Sequence, residues 1–465
     1  MTQAFKGLEG LCRLLILVAF LLLSASVLLQ VFARTFLSTA PVWTEELTRF
    51  CLIYIGALGA GLALRSGDMV NVDLLCESLP GRWPWHLRLV SAVLTALFAG
   101  GLLAGNLMNS GGITERIIRF ANALVGWMRG GLAQANIAAS MLFGGISGTA
   151  VADVASVGGM MIPGMKRAGY PGAFSAAVTA ASSTVGPMIP PSVPMIIVGS
   201  LSGMSVGKLF LGGAIPGIAM GVAMMITTVI LARKHGFPRE PWQGLRELFT
   251  SFTGAIWAIA MTALIVGGLL TGITTPTETA IVACLYAMLV GLFVYRELPW
   301  RAIPRIITNS AISSAGILVL VGTANVFGWI LVSERIPQML AEGVLSITDN
   351  KFVVILLINL LLLFVGMFME TIAALIILFV PLQTLALAVG IDPLHFAVFA
   401  VMNLMIGLTT PPVGVCLFVA ANIARLPLSP VIRAITPYIV TNLIMLLMVS
   451  YFPPLSTWLP NRLMP

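Results

Sequence analysis

Charge is scarce in this sequence. Only 9% of its 465 residues are Asp, Glu, Lys or Arg, against about a quarter in soluble domains. So little charge cannot wet the exterior of a globule, which excludes an ordinary soluble enzyme and leaves most of the surface to face lipid. Reactive side chains are few as well. There are three histidines and five cysteines. Cys12, Cys51, Cys76, Cys284 and Cys416 are scattered, without the spacing of a zinc site or a disulfide framework. No pair of acids and no Ser–Lys pair shares a helix face, so the chain offers no intramembrane hydrolase. Long polar stretches are missing too: apolar runs recur from Leu14 to Phe452 with no soluble domain between them.

What is present is a series of membrane-length segments. A spanning helix needs about 20 mostly apolar residues, and residues 14–31, 50–64, 87–103, 209–232, 252–270, 279–294, 311–332 and 435–451 are candidates. The first run continues into Arg34 and Trp43 without a small-residue cleavage site, so it reads as a retained helix rather than a signal peptide. The net charge of +8 sits in short loops. Arg233, Lys234, Arg239 and Arg246 lie in one, and Arg296, Arg301 and Arg305 in another two helices later, with Lys166, Arg167, Arg425 and Arg433 consistent with the same side. That is membrane orientation by the positive-inside rule, not a nucleic-acid footprint.

The chain also repeats itself. Asn106 followed by Glu115-Arg116-Ile117 matches Asn325 followed by Glu334-Arg335-Ile336 at an offset of 219, and Gly145 matches Gly366 at 221. Gly186-x-x-x-Pro190-Pro191 matches Gly407-x-x-x-Pro411-Pro412, and Pro216 matches Pro437, both again at 221. Five spanning segments separate equivalent points, an odd number, so the second copy enters the membrane from the opposite side. The expected fold is an all-α polytopic membrane protein with an inverted-topology repeat, re-entrant hairpins and discontinuous helices, which places a binding site at the repeat interface. Repeat 1 is expected at 106–233 and repeat 2 at 252–452.

Three apolar stretches crowded with Gly, Ser, Thr and Pro carry the candidate chemistry. The first copy offers Ser147, Gly148, Thr149 and Asp153 in a hairpin and Ser182, Ser183, Thr184, Gly186, Pro190 and Pro191 in a broken helix. The second offers Gly366, Glu370 and Thr371, then Asn403, Gly407, Thr409, Thr410, Pro411, Pro412 and Gly414. A Pro-Pro pair cannot continue a helix, and backbone groups freed within a membrane must be satisfied by protein, water or an ion. Carbonyls and hydroxyls near Ser147, Ser183, Thr409 and Thr410 form an oxygen-only set suited to Na⁺, while half-helix N-termini suit a carboxylate. Close packing is the alternative use of small residues in membrane helices. Asp153 and Glu370 are buried-acid candidates for ion-site neighbours or conformational locks. Glu278, after Thr275-Pro-Thr, also reads as a capped helix start, and Lys208, Arg425 and the histidines read as interfacial or structural.

These residues resemble a known family. NLMN at 106–109, GITER at 112–116, ASMLFGGISGTAVAD at 139–153, AASSTVGPMIPPS at 180–192 and NLMIGLTTPPVG at 403–414 are similar to the large membrane subunit of tripartite ATP-independent periplasmic (TRAP) transporters. Residues 1–98 resemble the small subunit, through QVF at 30–32 with Arg34, WTEE at 43–46, Arg49 and Val72-Asp73. Residues 99–105 are the junction, and 106–465 the large-subunit-like transport region. The resemblance implies a sodium-coupled importer of an organic acid, a C4-dicarboxylate or a sugar acid. It implies delivery by a periplasmic binding protein, an elevator-like transport domain and residence in the bacterial inner membrane, with Na⁺ as coupling ion and no cofactor.

One departure stands out. Two spanning segments precede Asn325 in the second copy, but no counterparts precede Asn106. Lys6 and Arg13 inside would leave Arg116, Arg119 and Arg129 outside after three crossings, whereas the second half of the chain requires them inside. The expectation is an internal deletion near 99–106, and the alternative reading of the chain is a truncated, non-transporting scaffold.

Overall fold

The computed structural model describes residues 112–308 and 350–464, apart from 238, 240, 272 and 275, together with isolated positions elsewhere. The expected helices at 14–31, 50–64, 87–103 and 311–332, and the junction at 99–105, lie wholly or largely outside the described residues. Among the described residues the regular structure is entirely helical. The chain divides into two compact units, Met1–Gly112 with Ala263–Phe327 and Ile113–Thr262 with Gly328–Pro465. The candidate site lies wholly in the second.

The second unit begins with α1 (Ile113–Val125), an amphipathic helix. A hairpin follows: α2 (Gly131–Ser147) and α3 (Ala150–Arg167). The helix α4 (Gly172–Ser183) ends in a break, beyond which the chain continues as α5 (Val193–Ser202) and then the long α6 (Val206–His235). Next come α7 (Gly244–Leu270) and, in the first unit, α8 (Pro276–Leu289). The pattern then recurs. α9 (Lys351–Gly366) and α10 (Thr371–Ala388) form a hairpin, α11 (Pro393–Gly407) and α12 (Val415–Ala424) a broken helix, and α13 (Leu428–Tyr451) a long span, followed by the short α14 (Pro454–Leu463).

Local chemistry sets these boundaries. Asn350, Glu370, Asp392, Ser192 and Ser205 each cap a helix by accepting from amides of the first turn. Gly148, Gly203 and Gly236 end helices with positive φ. Arg233, Lys234 and His235 occupy the last turn of α6, where cations suit the dipole.

The surface is that of a membrane protein. Ile218, Val222, Ile226 and Ile230 form an exposed stripe along α6 at intervals of four residues. Phe352, Leu356, Leu360 and Phe364 do the same on α9. In water such stripes would be buried; here they face lipid. Four described helices are long and apolar enough to cross a membrane: Val206–His235, Gly244–Leu269, Thr371–Ala388 and Leu428–Tyr451. A fifth candidate is the pair Gly172–Met188 and Val193–Ser202, bent by 41° at its break.

The repeats are related by a two-fold operation. α12 packs on α3 and α4, and reciprocally α5 packs on α10 and α11. Each half-helix thus lies against the other repeat, the reciprocity that a two-fold axis imposes. The equivalent long helices α6 and α13 run antiparallel. Thr228 of α6 meets Tyr438 of α13 at 2.8 Å, whereas Gly212, earlier on α6, faces Ser456, beyond the end of α13. Antiparallel equivalents mean inverted topology.

One expected equivalence needs a shift of one residue. Gly144, not Gly145, plays the part of Gly366. A Cβ on Gly144 would collide with the Gly186 backbone, and one on Gly407 would lie 2.6 Å from the Gly366 backbone. The first repeat has one residue more between its two glycines, and the connecting turn absorbs it.

Candidate functional site

The first break forms where α4 cannot go on. Gly186, Pro187, Pro190 and Pro191 follow Thr184, and the chain passes through one 3₁₀ turn at Gly186–Met188 before Ser192 caps α5. Ser183 donates its hydroxyl proton to the Ala180 carbonyl at 2.8 Å and Thr184 donates to Ala181 at 2.7 Å. A hydroxyl whose proton is committed offers only lone pairs to its surroundings, which suits a cation. Ser182 and Ser140 of α2 lie 3.0 Å apart, oxygen to oxygen, tying the broken helix to the hairpin. The hairpin tip is tied as well: the Gly148 carbonyl accepts from the Val193 amide at 3.4 Å.

The second break repeats this plan with different side chains. Thr409 and Thr410 both donate to the Ile406 carbonyl, at 2.9 and 2.8 Å. The Met367 carbonyl at the hairpin tip accepts from the Gly414 amide at 3.3 Å. Gly414 begins α12 with φ 53°. The Pro190–Pro191 and Pro411–Pro412 bonds are both cis. Asn403, at the position equivalent to Ser182, donates to the backbone carbonyl and side-chain oxygen of Asn359 on α9, at 2.9 and 2.7 Å.

Several buried polar atoms at these breaks have no protein partner: both Asp153 carboxylate oxygens, Asn403 Oδ1 and Thr371 Oγ1. Asp153 is fully buried. The Ser140 hydroxyl stands near its carboxylate without completing hydrogen-bond geometry. An unpaired buried carboxylate costs several kcal/mol in a protein interior. α12, which carries the buried Cys416, packs on α3, which carries Asp153, and on α4, which carries Ser183, so elements of both repeats converge here. The set is acceptor-rich and fits a hard cation; it fits no soft-metal cluster.

The sequence-expected residues divide as follows. Ser182, Ser183, Thr184, Gly186, Pro190 and Pro191 gather at one break, and Asn403, Gly407, Thr409, Thr410, Pro411, Pro412 and Gly414 at the other, with Gly148, Thr149 and Asp153 in hairpin 1 and Gly366, Glu370 and Thr371 in hairpin 2. Ser147 ends α2; its side chain is outside the described residues. Glu370 is engaged in capping: its carboxylate accepts from Ile372 and Ala373 amides at 2.9 and 3.3 Å. The acids are not symmetry mates, since Glu370 corresponds to Thr149 and Asp153 to Ala374. Asn359 and Cys416 are not expected from the sequence, being single polar residues inside apolar helices with no periodic signal, and Ser140 lies within the 139–153 motif without being a predicted site residue.

The sequence model of the tripartite ATP-independent periplasmic transporter DctM component matches residues 11–455. The chain belongs to that family. It is a TRAP transporter large permease and not an enzyme. It is 44% identical over 360 residues to the sialic acid TRAP transporter large permease protein SiaM of Vibrio cholerae, covering 77% of this chain and 84% of the relative. Identity to the C4-dicarboxylate TRAP transporter large permease protein DctM of Pseudomonas aeruginosa is 40% over 362 residues, 78% of this chain and 85% of that one. The isethionate TRAP transporter permease protein DctMQ of Oleidesulfovibrio alaskensis is 35% identical over 455 residues, 97% of this chain and 71% of the relative. In fold, this TRAP permease is similar to the YdaH transporter of Alcanivorax borkumensis, with TM-score 0.56 at 15% identity, covering 89% of this chain and 99% of that one.

Proposed function

We propose that this permease imports an organic acid across the bacterial inner membrane, driven by a Na⁺ gradient and supplied by a periplasmic binding protein. The observation that carries the sodium reading is the acceptor surplus at the two breaks. Asp153 and Asn403 Oδ1 are buried without protein partners, and the flanking hydroxyls have already given their protons to helix carbonyls. A cation supplies the missing partner, and its charge offsets the buried carboxylate. Na⁺ is the hard, oxygen-preferring ion of this class, held by residues near Ser147, Ser183, Thr409 and Thr410.

For the substrate, relatives named for sialic acid, C4-dicarboxylate and isethionate transport support a small organic anion, with a C4-dicarboxylate or sugar acid as our reading. Half-helix N-termini of α5 and α12 at the breaks present positive dipole ends to such an anion. The reciprocal packing of the repeats supports an elevator-like movement of the second unit's hairpins and broken helices.

The test is uptake into proteoliposomes with the cognate binding protein. Uptake is expected to collapse when the Na⁺ gradient is removed; uptake indifferent to it sinks the proposal. A second reading has its own observation. Alignment to the DctMQ relative uses 97% of this chain but only 71% of that protein, which is compatible with a shortened chain, and with it a scaffold that inserts without transporting, although the DctM-component match begins already at residue 11. Normal insertion and binding-protein contact with no Na⁺-dependent uptake would favour that reading.

A further inference from the structure

A chain of buried polar groups runs behind the second break. Ser456 of α14 and His395 of α11 meet at 2.8 Å through Nδ1, and His395 Nε2 lies 3.0 Å from the Ser450 carbonyl near the end of α13. The Ser450 hydroxyl accepts from Asn359 Nδ2 at 3.0 Å, and the two oxygens of Asn359 accept from Asn403 Nδ2. All five residues are at most 4% exposed. The chain stops at Asn403 Oδ1, the one amide atom in it without a partner.

The order of these bonds fixes orientation. A carbonyl only accepts, so the His395 nitrogen facing Ser450 carries a proton, while its other nitrogen meets the Ser456 hydroxyl, which also reaches the Pro453 carbonyl at 3.0 Å. Asn359 spends its NH₂ on Ser450, which aims its Oδ1 at Asn403. Facing two acceptors, the Asn359 backbone carbonyl and its side-chain oxygen, Asn403 must present its NH₂ to Asn359 and turn its Oδ1 away from it, one helical turn before Gly407. A flipped Asn403 would set oxygen against oxygen. The first repeat is built differently: the counterpart of Asn403 is Ser182, a hydroxyl that meets Ser140 and the Thr179 carbonyl instead of an asparagine, and the counterpart of His395 is Phe174.

We infer that Asn359, its side chain anchored on the Ser450 hydroxyl, is a positioning residue that orients Asn403 Oδ1 as a cation ligand at the second break, making the two breaks unequal in ion affinity. This rests on the sodium reading above. A ligand whose orientation is set by a buried partner loses affinity when that partner goes, by about 10- to 100-fold at metal sites, without change in the ligand itself.

The experiment is thermal unfolding of the purified full chain in detergent, titrated with NaCl against choline chloride at constant ionic strength. The wild type is expected to be stabilised by Na⁺ alone. Asn359→Leu is expected to shift the half-saturating Na⁺ concentration upward by about tenfold or more, with unfolding in choline chloride little changed. Ser450→Ala, which removes only the hydroxyl that anchors Asn359, is expected to shift it in the same direction by less, and tests the inference if Asn359→Leu does not fold. An unaltered Na⁺ titration in folded Asn359→Leu, or in Ser450→Ala if the former fails to fold, overturns the inference. A wild type indifferent to Na⁺ overturns the sodium reading instead, and this inference with it.

Discussion

Gly144 and Gly407 show what single residues contribute here. Each lies where a hairpin arm and an unwound helix end touch backbone to backbone, Gly144 against Gly186 and Gly407 against Gly366. A methyl group at either position has to push main chain aside, and overpacking of this kind costs about 1–3 kcal/mol. Gly144→Ala and Gly407→Ala are therefore expected to lower the melting temperature of the purified protein and to reduce transport. Gly159→Ala is the control: nothing lies within 4 Å of the added carbon, and a helix-interior glycine gains about 0.5–1 kcal/mol on becoming alanine. A Gly144→Ala protein as stable as that control would remove the close approach from the argument. The pairing also explains why Gly-rich sequence recurs in both halves: close packing and break formation are joint uses of the same glycines.

At the scale of elements, α3 carries the sharpest conflict. Asp153 stands in its first turn, so the helix dipole favours its negative charge by at most about 2 kcal/mol. Full burial without a partner opposes that by several kcal/mol, a cost that a bound cation or protonation of the carboxyl relieves. Asp153→Asn removes the charge but keeps the shape. It is expected to melt at a higher temperature than the wild type in choline chloride and to gain less from added Na⁺. Equal Na⁺ stabilisation in wild type and variant would take Asp153 out of the ion's surroundings. The other acid, Glu370, belongs to a different element role: as N-cap of α10 it fixes where hairpin 2 turns, by satisfying amides that a helix start leaves open. Two acids that look alike in sequence thus do different work, because one lies inside a first turn and the other precedes it.

Across the whole molecule, inverted topology is the property with consequences. Equivalent helices α6 and α13 lie antiparallel, and their contact includes Thr227 and Thr441, whose hydroxyl oxygens are 2.6 Å apart. Cysteines at both positions, in a background lacking all five native cysteines, are expected to cross-link under mild oxidation, giving a shifted band after proteolysis between the repeats. Parallel repeats with the same contact faces would not bring these two positions together, so absence of the cross-link counts against the arrangement. The same two-fold relation sets each half-helix on the other repeat's hairpin. Under the function proposed above, ions and substrate would then meet residues from both halves.

Much of this was legible in the residues. Scarce charge dictated a membrane protein, because there is too little to solvate a globule. The Gly and Pro-Pro positions dictated where helices break, because proline lacks the amide and clashes with the preceding turn. Their recurrence at nearly one offset announced two copies, and an odd number of crossings announced inversion. What one dimension could not supply was partnership. That Asp153 lacks a hydrogen-bond partner, that Glu370 has two, that Gly144 rather than its neighbour meets the broken helix, and that Asn403 meets Asn359 are facts about groups brought together from distant parts of the chain. A lone polar residue in an apolar helix looks the same in sequence whether it faces a cation, a cap or another amide. Only packing decides which, because hydrogen bonds and charge compensation depend on distances of a few ångströms between segments that the sequence sets far apart.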